Sequence, residues 1–187
     1  MNTYIYVGRG GRFIQHLMSW ADHVVILYPL WLGSMPALLK ALLEQMLRPG
    51  FAFSTLELGK WPVKFLSGKS ARIIITMGMP APIYRWYFLA HSLRSLQRNI
   101  LKFVGFRSVR STLIGNVAGL SKARRTQWLD KVRTLGRAAA FSRQHLWRCE
   151  RHVSHLPRRR YGHPRMESTS ASVDTVLVLH RSQHGRR

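Results

Sequence analysis

HVVILYPLWLGSMPALLKALLEQMLRPG, residues 23–50, changes its hydrophobic rhythm once, and that change decides the fold. HVVILYP is a continuous β-branched and apolar run closed by a proline, the pattern of a strand buried on both faces. From Ser34 onward the apolar residues recur at helical spacing until RPG stops them, with Ser34 at the N-cap position and Pro36 in the first turn. Between strand and helix stands Trp31, a bulky aromatic where a small residue would suffice. It is read here either as the wall of a ligand site or as a core side chain packed on the neighbouring helix.

The same alternation continues on both sides. RFIQHLMSWAD (12–22) has one apolar helical face. SARIIITMG (70–78) repeats the buried-strand pattern and again ends at a glycine. YRWYFLAHSLRSLQRNILKFVGF (84–106) predicts one long helix, RSVRSTLIGN (107–116) a third strand, and SKARRTQWLDKVRTLGRAA a closing helix capped near Ser121. Helices alternating with strands too apolar to face water predict an α/β fold with an open parallel sheet. In such sheets ligands bind outside the carboxyl ends of the strands. The segments leaving those ends are PLWLGS (29–34) and TMGMPAPIY (76–84). Trp31 and Tyr84 are therefore the candidate walls for a flat, conjugated ligand, with Pro29 and Gly33 shaping the backbone.

With 187 residues, 46% of them hydrophobic, the chain can bury a core of ordinary domain size. Cys149 is the only cysteine, and no secretory leader pattern opens the chain, which suits a reducing, cytoplasmic compartment. The longest run without a charged residue, His23 to Leu39, has 17 residues but contains Pro29, Gly33 and Pro36. It reads as strand, turn and helix start, so no transmembrane segment is expected.

The net charge of +23 is spread widely, with 20 Lys and Arg against 4 Asp and Glu in residues 1–138 and 10 against 3 in residues 139–187. The second stretch has ten Arg, no Lys, six of the nine His, and little apolar pattern beyond VDTVLVLH. It is expected to be a basic, disordered tail. Such charge suits polyanions, yet no zinc-finger spacing, aromatic RNA-binding motif or recognition helix accompanies it, so no specific nucleic acid is expected. Cys149, His152, His155 and His163 fit no standard zinc spacing, and no metal site is expected.

Taken together, ADHVVILYPLWLGSMPALLKALLEQMLRPGFAF, FLSGKSARIIITMGMPAPIYRW, HSLRSLQRNILKFVGF and WLDKVRTLG strongly resemble the flavodoxin-like NAD(P)H:quinone oxidoreductases. That family includes DT-diaphorase and the modulator of drug activity B proteins, and the resemblance covers roughly residues 12–138. It implies FMN, with FAD as the alternative, NAD(P)H as co-substrate, a quinone or similar small acceptor, and compatibility with a homodimer. Pro29, Leu30, Trp31 and Leu32 match the loop that holds the flavin ring, and Thr76, Met77 and Gly78 match the loop that borders it. Tyr84 and His91 match a tyrosine and histidine that assist hydride transfer in some relatives. The family's GH is AH here, and the second tryptophan of its LWWG is Leu32.

The family also opens with a strand, a phosphate-cradling loop, a helix and a second strand, whereas this chain starts near the second helix. MNTYIYVGRGGR has no Ser/Thr-rich phosphate loop. The expected organisation is an irregular segment over 1–11, an N-terminally truncated flavodoxin-like domain over 12–140 and a tail over 141–187. HVVILY is then expected to be a bare, apolar sheet edge. A truncated, non-catalytic remnant and a basic nucleic-acid or membrane-surface binder are the alternative readings.

Overall fold

The computed structural model describes residues 9–55, 60–141 and 176–180. These fall into two compact units, one holding the described residues up to Leu120 together with 176–180, the other the described residues from Ser121 to Phe141.

The first unit is built on helix α1 (Arg9–Trp20), strand β1 (His23–Pro29), helix α2 (Ala37–Met46) and strand β2 (Ser70–Thr76). Helix α3 (Ala81–Trp86), helix α4 (His91–Ser95), a π-helical segment (Leu96–Lys102) and strand β3 (Ser108–Ile114) follow. Strands β1, β2 and β3 are parallel and in continuous register: Ile26 faces Ile73, and Ile73 faces Ser111. The expected open parallel α/β sheet is therefore present.

Burial explains why these residues hold it. Val24, Ile26 and Tyr28 of β1 and Ala71, Ile73 and Ile75 of β2 meet Met18 of α1 and Leu39, Leu43 and Met46 of α2 in one core. Between these residues β1 is only half-buried, so its two faces are less equal than the unbroken apolar run suggests. Gln15 ties α1 to α2 by donating from Nε2 to the Met46 carbonyl at 2.9 Å.

Four expectations need correction. First, residues 9–11 belong to α1, because the apolar face that follows sustains the helix back through two glycines despite their cost of about 1 kcal/mol each. Second, Ser34 does not cap α2. Its backbone is engaged with Trp31, and Pro36 takes the N-cap position without a side-chain hydrogen bond. Third, the long helix over 84–106 is broken at Leu89 and Ala90, which take left-handed φ values of 52° and 47°. Fourth, the edge of β1 is not bare. Strand β4 (Val176–His180), from the segment expected to be a tail, pairs antiparallel with it, Val25 facing Val178, to give the order β3-β2-β1-β4. An edge strand with free amides and carbonyls accepts such a five-residue apolar run as a ladder partner. The remainder of 141–187 after Phe141, and residues 1–8, lie outside the described residues.

In the second unit, α5 (Lys122–Phe141) begins as expected at Ser121, whose Oγ accepts from the Arg124 amide at 3.4 Å. Lys131 sits over the Trp128 ring at 4.7 Å.

Pairing by β4 carries a test. A chain ending at Val173 exposes the edge of β1, and light scattering against protein concentration is expected to show association that the full chain resists.

Candidate functional site

Three loops leave the carboxyl ends of the parallel strands, and main-chain hydrogen bonds lace them together. The Leu30 amide donates to the Thr76 carbonyl at 2.8 Å, and the Met77 amide to the Ile114 carbonyl at 2.9 Å. The Val117 amide reaches the Met77 carbonyl at 3.1 Å, and the Asn116 amide the Met79 carbonyl at 3.0 Å. Each ladder thus runs past the end of its strand, and the loops stand side by side.

In the first loop Trp31 and Ser34 exchange two hydrogen bonds, 3.0 and 2.8 Å, closing a tight turn. Its two central residues, Leu32 and Gly33, have φ of 47° and 76°. Glycine accepts this geometry freely; leucine does so at a cost of roughly 1–3 kcal/mol. Leu32 is fully exposed and Trp31 is 52% exposed, whereas Leu30 packs on the core. Trp31 is therefore a surface aromatic at the carboxyl rim, not a core side chain.

In the second loop Thr76 is half-buried and the Met77 side chain is buried, so Met77 offers only backbone to the surface. Gly78 is exposed, and a Cβ built on it would meet nothing within 4 Å. Among the described residues, the amides of Leu32 and Gly78 make no backbone hydrogen bond. The third loop is one that sequence reasoning missed. A Cβ on Gly115 would lie 2.4 Å from the Ala81 nitrogen, so only glycine lets this loop pass the start of α3. Its signal was present, since IGN ends its strand at a glycine as TMG does.

Tyr84 does not form a second wall. Its side chain is buried, its hydroxyl lies 2.7 Å from Ser92 Oγ, and it accepts from the Leu93 amide at 3.2 Å. Ala90, at the N-cap of α4, has no polar side chain to satisfy that helix's first amides, and the Tyr84 phenol accepts one of them, Leu93's, from across the break. The aromatic is used inside, so it cannot face a ligand. His91 is exposed just after the break, with Nδ1 3.0 Å from the Phe88 carbonyl. A carbonyl only accepts, so Nδ1 carries the proton and Nε2 is left outward.

Beneath the first loop lies Tyr28, fully buried, with no hydrogen-bond partner for its hydroxyl among the described residues. Burial, and to a lesser extent the neighbouring Tyr84, push its ionisation well above the ordinary tyrosine range. No group of three or more His, Cys, Asp or Glu among the described residues is placed to hold a metal. Cys149, His152, His155 and His163 lie outside the described residues. No helix among the described residues is long and apolar enough to cross a membrane.

Comparison with known proteins agrees with this architecture. The family model described as flavodoxin-like fold matches residues 12–143. An NAD(P)H oxidoreductase of Haemophilus influenzae, itself uncharacterized, is 33% identical over 98 residues, 52% of this chain and 48% of that protein. The ribosyldihydronicotinamide dehydrogenase [quinone] of Mus musculus is 34% identical over 97 residues, 50% of this chain and 41% of that protein. The chain thus spans about half the length of these relatives or less. Among solved structures, Smu.1420 of Streptococcus mutans superposes with a TM-score of 0.61 at 30% identity, covering 70% of this chain and 68% of that one. An FMN-dependent NADH-azoreductase of Bacillus anthracis, in complex with FMN, gives a TM-score of 0.56 at 19% identity, covering 70% and 62%.

The two tyrosines predict opposite outcomes. Tyr84→Phe strands the Ser92 hydroxyl and Leu93 amide and is expected to lower stability by about 1–3 kcal/mol in urea unfolding. Tyr28→Phe removes an unpartnered hydroxyl and is expected to hold or raise stability below pH 9. Because the folded-state pKa of Tyr28 is raised, its contribution is intact below the unfolded value of about 10 and declines as pH rises toward the folded value. Tyr28→Phe is therefore also expected to flatten the loss of stability above about pH 10.

Proposed function

This chain belongs to the flavodoxin-like fold family, and from that membership we propose that its carboxyl rim holds the ring of an FMN and serves two-electron reduction of a quinone or similar flat acceptor by NAD(P)H. The observation that carries the reading is the strained turn at Leu32 and Gly33, which carries the exposed Trp31 on a loop hydrogen-bonded, through Leu30 and Thr76, to the one that holds the open backbone of Gly78. Backbone strain of this kind persists where the surrounding structure enforces it, and it concentrates at ligand sites.

Three observations support a fit to a flavin. Trp31 offers an exposed aromatic face, Leu32 and Gly78 offer amides to a polar ring edge, and nothing occupies the space a Gly78 side chain would take. The FMN complex of the azoreductase with the same fold is consistent with that fit. Bound there, the flavin supplies acceptance and release of two electrons with a proton. Pro29, Leu30 and Trp31 exclude water from one side, and Thr76, Met77 and Gly78 border the other. Nε2 of His91, unprotonated while Nδ1 donates to the Phe88 carbonyl, is the group that accepts a proton and relays it to an acceptor oxygen. Tyr84 is a positioning residue, fixing the break that presents His91.

The test uses the full purified chain, titrated with FMN by fluorescence and then assayed for NADPH oxidation with a quinone. Trp31→Ala is expected to weaken FMN binding up to about tenfold through lost ring contact, with the melting temperature nearly unchanged. A loss of stability with unchanged affinity would return Trp31 to a packing role. A wild-type chain that takes up no FMN would leave it a non-catalytic relative.

A further inference from the structure

Strand β2 carries one charged residue, Arg72, and the register sets it directly beside Arg110 of β3. Both belong to the sheet face opposite the one on which Val24, Ile26, Ala71 and Ile73 meet α1 and α2, since side chains alternate along a strand. Neighbouring strands lie about 4.8 Å apart, so two guanidinium side chains start from one small patch of sheet. Arg72 is half-buried and Arg110 is exposed. Arg72 Nη1 donates to Thr112 Oγ1 at 3.3 Å, and Thr112 stands two residues past Arg110 on the same face. The Arg72 side chain therefore crosses from its own strand to the one that carries Arg110. Its Nε is buried and has no hydrogen-bond partner among the described residues. Burial, and after it the charge of Arg110, pull the ionisation of Arg72 down from the ordinary guanidinium value.

Such a pair calls for a counter-charge, because a buried donor left unpaired and a like charge beside it are both costly. The surrounding sequence holds none. From residue 58 to residue 129 the chain has thirteen Lys and Arg and no Asp or Glu. Neither arginine has a carboxylate partner among the described residues.

We infer that Arg72 and Arg110 hold a phosphate dianion between them, as the free ion or as the terminal group of a small phosphomonoester. Each guanidinium is a planar fork of N–H donors that matches phosphate oxygens two at a time. Two forks balance a double negative charge, whereas a carboxylate would neutralise only one of them. The Thr112 hydroxyl, which accepts from Arg72, still has a proton to donate. Arg72 and Arg110 precede Thr76 and Ile114 by four residues, about 13 Å along the strands, so this site lies away from the carboxyl rim. It needs no bound flavin and stands or falls apart from the function proposed above.

The experiment is calorimetric titration of the full chain, without flavin, with inorganic phosphate at about pH 8, where a phosphate group is mainly doubly charged. Ionic strength is held constant so that general screening does not change. Arg72→Gln and Arg110→Gln are each expected to weaken phosphate binding at least about tenfold, through loss of one charged fork. Arg124→Gln, which removes an exposed cation on α5, is expected to leave the affinity within about twofold. In phosphate-free buffer Arg110→Gln is expected to melt above wild type, because repulsion is relieved, and below it once phosphate is saturating. Glycerol phosphate, titrated in parallel, separates the two sources. Affinity equal to that of inorganic phosphate assigns the site to a phosphomonoester, and no binding assigns it to the free ion. Equal losses in Arg110→Gln and Arg124→Gln would overturn the site in favour of diffuse charge, as would a wild-type chain that takes up no phosphate. Should Arg72→Gln fail to fold, Arg110→Gln, at an exposed position, decides alone.

Discussion

The common register of the three parallel strands is the constraint from which the rest follows. Because β1, β2 and β3 run the same way and end level, their last amides and carbonyls must be paired beyond the strands or lost to burial. The chain pairs them across loops: Leu30 with Thr76, Met77 with Ile114, Val117 with Met77. That lacing brings residues 29–34, 76–80 and 115–117 to one rim without any side chain to link them. A site there depends first on backbone, which is why glycines at 33, 78 and 115 matter in three different ways. Gly33 supplies a left-handed angle, Gly78 leaves room for something outside the protein, and Gly115 lets one loop pass another.

Strain is shared between that rim, at Leu32 and Asn116, and the break after α3, at Leu89 and Ala90. The non-glycine residues with left-handed backbone among the described residues are Leu32, Leu89, Ala90 and Asn116, and all four lie in segments that follow the carboxyl ends of the strands. Each costs on the order of 1–3 kcal/mol, a sizeable fraction of the net stability of a domain this size. The buried core of β1, β2, α1 and α2 supplies the stability against which that cost is set. Tyr84 shows how closely the two are joined. One phenol is part of the core and also closes the hydrogen bonding of a broken helix.

Strands β1 and β2 are legible in the sequence because VVIL and IIIT are unbroken apolar runs stopped by proline or glycine, and α2 because its apolar residues keep a single helical phase. The rim is legible through PLWLGS and TMGMP, since parallel α/β sheets bind ligands at such loops. What escaped were facts set by contacts distant in sequence. Nothing local to VLVLH says it will pair with HVVIL, over 140 residues earlier. Tyr84 reads as a site aromatic because it closes the segment TMGMPAPIY leaving a strand's carboxyl end and matches a tyrosine of the family, and only its contact with Ser92 and Leu93 shows it turned inward. The break at Leu89 and Ala90 leaves no mark in composition, for neither residue is a usual breaker.

The π-helical segment at Leu96–Lys102 carries a consequence of its own. Leu96 and Leu101, both buried, are five residues apart, a spacing that puts two side chains on one face only where a turn holds an extra residue. In an ordinary helix Ile100 would take the inward place. The segment therefore behaves as a one-residue insertion absorbed without a loop. Removing a single residue there would return the segment to an ordinary helix, with Leu96 and the residue now four places on sharing the inward face and Val104 and Phe106 kept on the core. Length in this stretch is thus adjustable by one residue with the same side chains still meeting the core, a tolerance that a continuous α-helix would not have.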